Sequence, residues 1–429
     1  MMPRTARRRN AYGPVRDPGV AARGRRRPPA LLSLGLISFS VGISMAMSVP
    51  FLSLFLSTAV HAGPVRTTLF LIVTPLAGVV AATVLGRLSD RRPIRRALLV
   101  GTSVAGVIGM GLTALVRDYW VLLALAVTAT ALAGALFPQT FAYARQLLTT
   151  GGSSGRAAMG TNALRTVFSL AWVAGPPLAA LLMRVGGFAY LYGIAAVMFG
   201  VAALVAVCWL DEIAAPAPPA ADGEPAHGGP ATGEATRRVL LLTAVAFTLL
   251  QAPLTLSLQA LPLFVPADLG GDVDDVGLVL GLCAALEIPL MLSLGLLTTR
   301  FAVRRLVLVG AGCGIVYHLV AVAAWDVPTL AVAQVLNALF IAAISGLGIS
   351  YLQDMLPGQP GRATTLFTNT FPVGAVLAGP LFGLAQHFGF RLAYGIGAGL
   401  CVGGLLILLV ARPPAVAAPV GQGLRATPP

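Results

Sequence analysis

The chain has 429 residues, of which 57% are hydrophobic and only 10% are charged, and its mean hydropathy is +0.86. A soluble globular protein of this length does not need so apolar a surface, so these values exclude that class and indicate a polytopic membrane protein. The net charge of +14 comes from 29 basic residues that are all arginine. Because they cluster in short loops between apolar segments, they indicate membrane orientation and not nucleic-acid binding.

Residues 1–29 carry nine arginines among many proline and glycine residues. This composition predicts a disordered cytoplasmic tail that orients the first membrane segment and contacts anionic lipid.

Twelve apolar segments follow, each long enough for the roughly 20 apolar residues that cross a bilayer. A single open chain satisfies its backbone in lipid only as helices, so the predicted fold class is all-α. Prolines inside these segments, such as Pro50, are expected to kink the helices. We number the segments as spans 1 to 12, with the approximate limits 30–57, 66–86, 97–116, 119–142, 157–184, 188–210, 238–264, 275–299, 305–325, 328–352, 363–387 and 389–411.

Residues 211–237 interrupt the apolar pattern with proline, alanine and glycine, which predicts a cytoplasmic linker. The linker divides the chain into two six-helix bundles at 30–210 and 238–411, and a cytoplasmic tail follows at 412–429. Placing both termini inside puts 24 of the 29 arginines on the cytoplasmic side and only four in external loops. An excess of arginine is typical of cytoplasmic loops, so this distribution predicts that both termini lie inside the cell.

The two halves resemble each other. The basic stretch Gly86–Arg96, a loop between spans 2 and 3, recurs in weaker form as Gly295–Arg305, 209 residues later. Further matched pairs are Asp118 with Asp326, Tyr143 with Tyr351, and Tyr192 with Tyr394. A repeated six-helix unit predicts two pseudo-symmetric bundles with a substrate site at their interface near the middle of the bilayer, reached alternately from each side.

The basic stretch resembles the signature G-x-L-x-D-R-x-G-R-R-R that the major facilitator superfamily carries between spans 2 and 3. Pro93 and Ile94 depart from that pattern. The resemblance implies the major facilitator fold and a gating role for the loop, carried by Gly86, Asp90, Arg91, Arg95 and Arg96.

A narrower resemblance, to the sugar efflux transporter family, covers most of the chain. It implies a secondary transporter that exports sugars or glycosides across the cell membrane by proton antiport. Ser48 stands where the family has glutamine, so the resemblance does not fix which sugar is carried. The matching segments are Pro50–Ser57, Ser169–Leu178, Leu286–Pro289, Gln353–Gly358 and Ala363–Asn369.

Two charged residues lie deep within the spans and away from their ends, Arg165 in span 5 and Glu287 in span 8. A charge in hydrocarbon is costly, so it usually faces a cavity or a partner. In the superfamily these two spans line the interface between the halves. We predict that Glu287 carries a coupling proton and that Arg165 binds substrate or pairs with Glu287. A static ion pair between the helices is the alternative.

Neutral polar and aromatic residues within the spans are the other substrate-binding candidates. An amide offers donors and an acceptor to sugar hydroxyls, although hydrogen bonds between helices are the alternative. Trp172, which shares a face of span 5 with Phe168, suits stacking on a sugar ring, with helix or lipid packing as the alternative. His318 is expected to be a packed or hydrogen-bonded residue. The amides noted are Gln139, Asn162, Gln251, Gln259, Asn337 and Asn369, and all except Gln259 are predicted to contact substrate.

Other functional classes find less support in the sequence. No cluster of nucleophile, base or metal ligands indicates an enzyme, a metal site or a cofactor. A phosphate-binding loop is also absent, so transport driven by ATP is not expected. An exporter of drugs or other small solutes remains an alternative, and a solute sensor is a weaker one because a signalling domain is missing. The expected partners are a small-molecule substrate, protons and lipid, and the expected state is a monomer.

Overall fold

A computed structural model describes residues 30–150, 154–212, 234–356 and 359–411, and every regular element within these ranges is helical. The predicted tails 1–29 and 412–429 lie outside the described residues, as does the linker from 213 to 233. The first half contains Ala30–Ser48 and Leu52–Thr58 (span 1), Pro64–Arg91 (span 2), Arg95–Leu115 (span 3), Tyr119–Leu125, Ala126–Thr130, Ala131–Gly134 and Leu136–Thr150 (span 4), and Ser154–Trp209 (spans 5 and 6). The second half contains Glu234–Asp268, Val273–Leu297, Val303–Ala323, Val327–Met355, Pro360–Phe388 and Arg391–Val410 (spans 7 to 12).

The helix count agrees with the predicted twelve spans. Eleven of the described helices are long and apolar enough to cross a membrane, and one of them, Met159–Trp209, contains two spans. Its helical dihedrals are interrupted at Gly186 and Gly187. Gly187 has a φ of 65°, a left-handed conformation that glycine adopts without a steric penalty. The chain therefore turns back there, between spans 5 and 6.

Two proline positions give boundaries that differ from the prediction. Span 1 is two helices and not one, because the chain leaves the helix around Pro50, whose nitrogen has no hydrogen to donate. The basic loop is also shorter than predicted, since span 2 remains helical through Arg91. Arg92 then takes extended dihedrals, as expected for a residue before proline, and span 3 begins at Arg95.

The predicted repeat is visible in matched capping contacts. The Asp118 carboxylate accepts hydrogen bonds from the backbone at the start of span 4, and the Asp326 carboxylate does so at the start of span 10. Hydrogen bonds from Thr329 hold the pKa of the Asp326 carboxyl below its ordinary value. Both aspartates therefore stabilise the same helix end in each half.

Aromatic packing repeats in the same way. The ring of Tyr192 lies 4.9 Å from that of Phe55, and the ring of Tyr394 lies 4.7 Å from that of Phe264. Each pair joins the last span of its half to the first, so both bundles close around an equivalent aromatic contact.

The two halves meet at one end of the molecule. We call the end that holds Ala30 and Val410 the near end and the opposite one the far end. At the far end, a β-carbon added to Gly277 in span 8 would meet Ala180 in span 5. One added to Gly383 in span 11 would meet Thr68 in span 2. A first hydrophobic core includes residues of both halves, whereas a second core belongs to the second half alone.

Candidate substrate cavity

A cavity of about 520 Å³ lies between the two halves. Spans 4 and 5 line it from the first half, and spans 7 to 11 line it from the second. Its size is within the range of roughly 300–1,000 Å³ that is usual for small-molecule sites.

The wall from the first half is aromatic and carries one cation. Arg165, Phe168, Ser169 and Trp172 line the cavity, and their spacing of three or four residues places them on one face of span 5. Phe137 of span 4 extends this face, with its ring centroid 4.1 Å from that of Phe168. Flat apolar rings next to an exposed guanidinium can hold a ligand that has both an apolar face and polar groups.

The wall from the second half contains apolar residues but also carries most of the polar side chains of the cavity. Glu287 and Cys283 lie one helical turn apart on span 8, and both face the cavity. Asn337 of span 10 also lines it, and its Nδ2 donates to Oε1 of Gln334 at 2.9 Å and to Sγ of Cys283 at 3.4 Å. The cavity thus has a carboxylate and an amide network opposite the aromatic wall.

Arg165 and Glu287 face the same cavity without touching. Within the described part of the chain, no ion pair within 4.0 Å joins them. The static ion pair, one of the alternatives for these residues, is therefore absent from this conformation. Both charges are free to interact with a ligand or with water.

Gln251 of span 7 provides a hydrogen-bond donor that the protein does not use. Its side chain is only 2% exposed, it lines the cavity, and its Nε2 has no partner among the described residues. Buried amide donors are normally paired, so this one is available for a ligand or an ordered water.

Three of the amides predicted to contact substrate lie elsewhere, as does Gln259, for which no such contact was predicted. Gln139 is buried in span 4 outside the cavity lining, and Asn162 and Asn369 are exposed and also outside it. Gln259 joins the halves, since its Nε2 donates to the carbonyl of Val49 at 3.1 Å. Of the predicted binding residues, the structure brings together Arg165, Trp172, Gln251, Glu287 and Asn337.

Several polar lining residues were not predicted. Gln334 had a detectable signal, because it precedes Asn337 by three residues and so shares its helix face. The hydroxyl residues had none, since serine, threonine and tyrosine are common throughout the spans. The unpredicted polar residues in the lining are Ser169, Thr255, Ser257, Tyr317, Gln334 and Ser345.

The predicted gating residues lie at the near end, away from the cavity. Asp90 and Arg95 form an ion pair of 3.3 Å in which the Asp90 side chain is 74% exposed and that of Arg95 only 9%. Arg91 is exposed at the last position of the span 2 helix, and Gly86 lies within that helix.

Arg96 links the gating stretch to span 6. Its guanidinium donates to the carbonyls of Ala206 and Val207 at the end of that span, at 3.3 and 2.7 Å. The carboxylate of Glu212 in turn accepts from the backbone nitrogen of Arg96 at 2.9 Å. Spans 3 and 6 therefore cap each other.

Comparison with known proteins gives a consistent result. A family model described as Major Facilitator Superfamily matches residues 34–266 and 244–428. Sugar efflux transporter A of Dickeya chrysanthemi is 36% identical over 392 residues, covering 89% of this chain and 97% of that protein. Sugar efflux transporter A of Escherichia coli (strain K12) is 32% identical over 376 residues, covering 87% of this chain and 94% of that protein.

Solved structures share the fold at low sequence identity. The nucleoside transporter NupG has a TM-score of 0.69 and 13% identity, covering 90% of this chain and 99% of that one. The POT family transporter PepTSo has a TM-score of 0.69 and 12% identity, covering 89% of this chain and 97% of that one. At this identity the likeness is evidence for the fold alone.

Proposed function

The chain belongs to the major facilitator superfamily and, within it, to the sugar efflux transporter family, and from this premise we propose that it exports sugars or glycosides across the cell membrane. The observation that carries the proposal is the cavity between the halves, with an aromatic wall on one side and a carboxylate and amides on the other. Sugars combine apolar C–H faces with many hydroxyls, so both walls have a counterpart on such a ligand.

Transport proceeds by alternating access in this proposal. The present conformation has the halves packed together at the far end, through the contacts of Gly277 and Gly383. The ion pair between Arg184 and Asp274, at 2.8 Å, joins spans 5 and 8 at the same end. A second conformation would separate these contacts and close the near end, exposing the cavity to the other side.

The near end is placed in the cytoplasm. This orientation rests on the arginines, most of which lie in the tails and loops of that end. Both termini and the linker are then cytoplasmic, and the conformation described here is the one that loads substrate from inside. The cavity lies between the two halves of the same chain, and we take the monomer as the transport unit.

Proton antiport supplies the driving force, with Glu287 as the coupling group. When the cavity opens to the cytoplasm, Glu287 releases its proton and substrate binds. After the switch, a proton from outside returns to Glu287 and substrate leaves. When Arg165 approaches Glu287, its positive charge favours the deprotonated carboxylate. Arg165 also lines the cavity, so a bound substrate can compete with Glu287 for the guanidinium.

A second candidate substrate is an amphiphilic drug. The observation in its favour is the aromatic wall of Phe137, Phe168 and Trp172, which suits an apolar ring system as well as a sugar.

Uptake into inverted membrane vesicles, with a panel of labelled sugars, glycosides and aromatic drugs, tests the proposal. Wild-type vesicles are expected to accumulate at least one sugar or glycoside when a proton gradient is imposed, and accumulation of drugs alone would refute it. Ala284→Trp fills the cavity and should abolish uptake. Ala285→Trp is the matched control, because Ala285 is the next residue of span 8, is exposed and lies outside the lining.

A further inference from the structure

Ser257 and Asn337 both line the cavity, and each is held by a hydrogen-bond chain that ends on a backbone carbonyl. We infer that these chains fix both residues as hydrogen-bond acceptors, so that they select ligands with hydroxyl or amine donors at two positions. The inference rests on the proposed function and specifies how the cavity recognises its substrate.

The first chain begins at Gly314 and runs through His318. Nδ1 of His318 lies 2.6 Å from the carbonyl oxygen of Gly314. A carbonyl only accepts, so a hydrogen bond to it requires a proton on Nδ1. The His318 side chain has no solvent exposure, and its described partners are the carbonyls of Gly314 and Pro253 and the hydroxyl of Ser257, none of which is an acid. Burying a cation without a counter-charge is costly, so the imidazole is neutral and carries one proton. The contact with the Gly314 carbonyl is short, at 2.6 Å, so we assign that proton to Nδ1 and the acceptor role to Nε2.

This assignment determines the role of Ser257. Its Oγ lies 3.0 Å from Nε2 of His318, and since Nε2 accepts, the hydroxyl proton of Ser257 points to it. The hydroxyl oxygen then retains lone pairs for a ligand and has no proton to give. His318 is a positioning residue, and Gly397 of span 12 makes room for it, because a β-carbon there would meet the imidazole ring.

The second hydrogen-bond chain begins at the carbonyl of Leu330 and fixes the orientation of Asn337 in a similar way. Nε2 of Gln334 donates to the carbonyl of Leu330 at 3.3 Å, which orients the Gln334 amide. Its Oε1 therefore faces Asn337 and accepts from Nδ2 of that residue at 2.9 Å. The second proton of Nδ2 points to Sγ of Cys283. Both donors of Asn337 are then used within the protein, and its Oδ1 is left for a ligand.

A ligand hydroxyl that meets Ser257 or Asn337 must therefore donate. Replacing that hydroxyl by fluorine keeps the size and an acceptor but removes the donor, and replacing it by hydrogen removes both. If Ser257 and Asn337 act only as acceptors, the fluoro analogue should bind as weakly as the deoxy analogue. The loss of one such bond corresponds to roughly fivefold to tenfold in affinity.

The test measures competition against a transported sugar by its full series of monodeoxy and monodeoxyfluoro analogues, in vesicles containing the full chain. Wild-type protein should show two ring positions at which both analogues weaken inhibition by a similar factor. Ser257→Ala should remove this penalty at one position, and Asn337→Ala at the other. Maximal rates should change less than inhibition constants.

Variants at His318 separate positioning from packing. His318→Phe keeps an aromatic ring but removes the acceptor, so the Ser257 proton is released and the fluoro analogue should now inhibit better than the deoxy analogue. His318→Gln restores an acceptor near Nε2 and should return the wild-type pattern.

Two results would overturn the inference while leaving sugar export intact. One is a wild-type protein that binds the fluoro analogues as tightly as the parent sugar. The other is a Ser257→Ala variant with an unchanged analogue pattern. If no sugar is transported or competes at all, the proposed function fails, and the inference falls with it.

Discussion

Gly277 of span 8 lies so close to Ala180 of span 5 that a β-carbon added at Gly277 would stand 2.7 Å from that of Ala180. The carbonyl oxygen of Pro176 lies on the same side, at 2.9 Å from that position. Side chains essentially never approach so closely, and close packing of helices in membranes depends on such small residues. The absence of a side chain at Gly277 thus allows the halves to meet at the far end.

Gly277→Val is therefore expected to push spans 5 and 8 apart and to disfavour the present conformation. Spin labels at the far ends of these spans should report a longer distance than in the wild type, and transport should slow. Gly295→Val is the matched control, because Gly295 is in the same helix and a β-carbon there meets no atom within 4 Å. An unchanged distance in Gly277→Val would count against this contact as the far-end closure.

The capping arginine of the second half differs from the one that the sequence offset indicates. At an offset of 209 residues Arg96 aligns with Arg305, but the guanidinium that caps span 12 belongs to Arg304, which donates to the carbonyl of Leu408 at 2.7 Å. Arg305 is exposed. Arg96→Gln and Arg304→Gln should each destabilise the protein by about 1 kcal/mol, through loss of a cation at a helix C-terminus.

Thermal aggregation of detergent-solubilised protein measures this effect. Both variants should aggregate at a lower temperature than the wild type, and Arg305→Gln should behave as the wild type does. If Arg304→Gln and Arg305→Gln lower the aggregation temperature equally, the effect comes from losing one positive charge at either position and not from losing the cap.

Asp90→Asn is expected to slow transport while leaving equilibrium substrate binding nearly unchanged. Asp90 is mostly exposed at the near end, and among the described residues it forms an ion pair with Arg95 alone, so its charge contributes little to stability in this conformation. Its effect should appear when the near end closes. Comparing the transport rate with substrate affinity on purified protein checks this, and a loss of binding at normal protein levels would argue against a gating role.

Trp172→Ala is expected to weaken sugar binding by roughly tenfold, by removing an aromatic surface from the cavity wall. Trp172→Phe should retain most of the affinity. Trp325 is 80% exposed and outside the cavity lining, so Trp325→Ala is the control. Substrate titration by tryptophan fluorescence or calorimetry measures these differences, and full affinity in Trp172→Ala would exclude stacking at this position.

The fold follows closely from the sequence, and the reason is physical. The bilayer requires apolar segments of about 20 residues and leaves helices as the solution, so hydropathy alone defines the spans. The ends of the helices were less predictable where a single proline determines them. Pro50 divides span 1, and Pro93 ends the span 2 helix only after Arg91, because the residues before it have no reason to leave the helix.

The site was harder to predict because the sequence does not fix the rotation of each helix about its axis. Asn162 and Arg165 are three residues apart on span 5, yet only Arg165 lines the cavity. A span that packs against neighbours on several sides is apolar on nearly every face. Its hydrophobic pattern therefore does not reveal which face meets the cavity. The separation of Arg165 from Glu287 is a property of the conformation and has no signature in the sequence.

Proton-coupled export through this cavity is tested most directly by Glu287→Gln, which removes the titrating group and keeps its shape. In vesicles with a proton gradient, the variant should fail to accumulate sugar against its concentration gradient, while exchange of labelled for unlabelled sugar at equal pH should continue. Asp354→Asn, which neutralises an exposed acid near the end of span 10, should retain both activities. If Glu287→Gln still concentrates sugar when the proton gradient is imposed, Glu287 does not couple transport to protons.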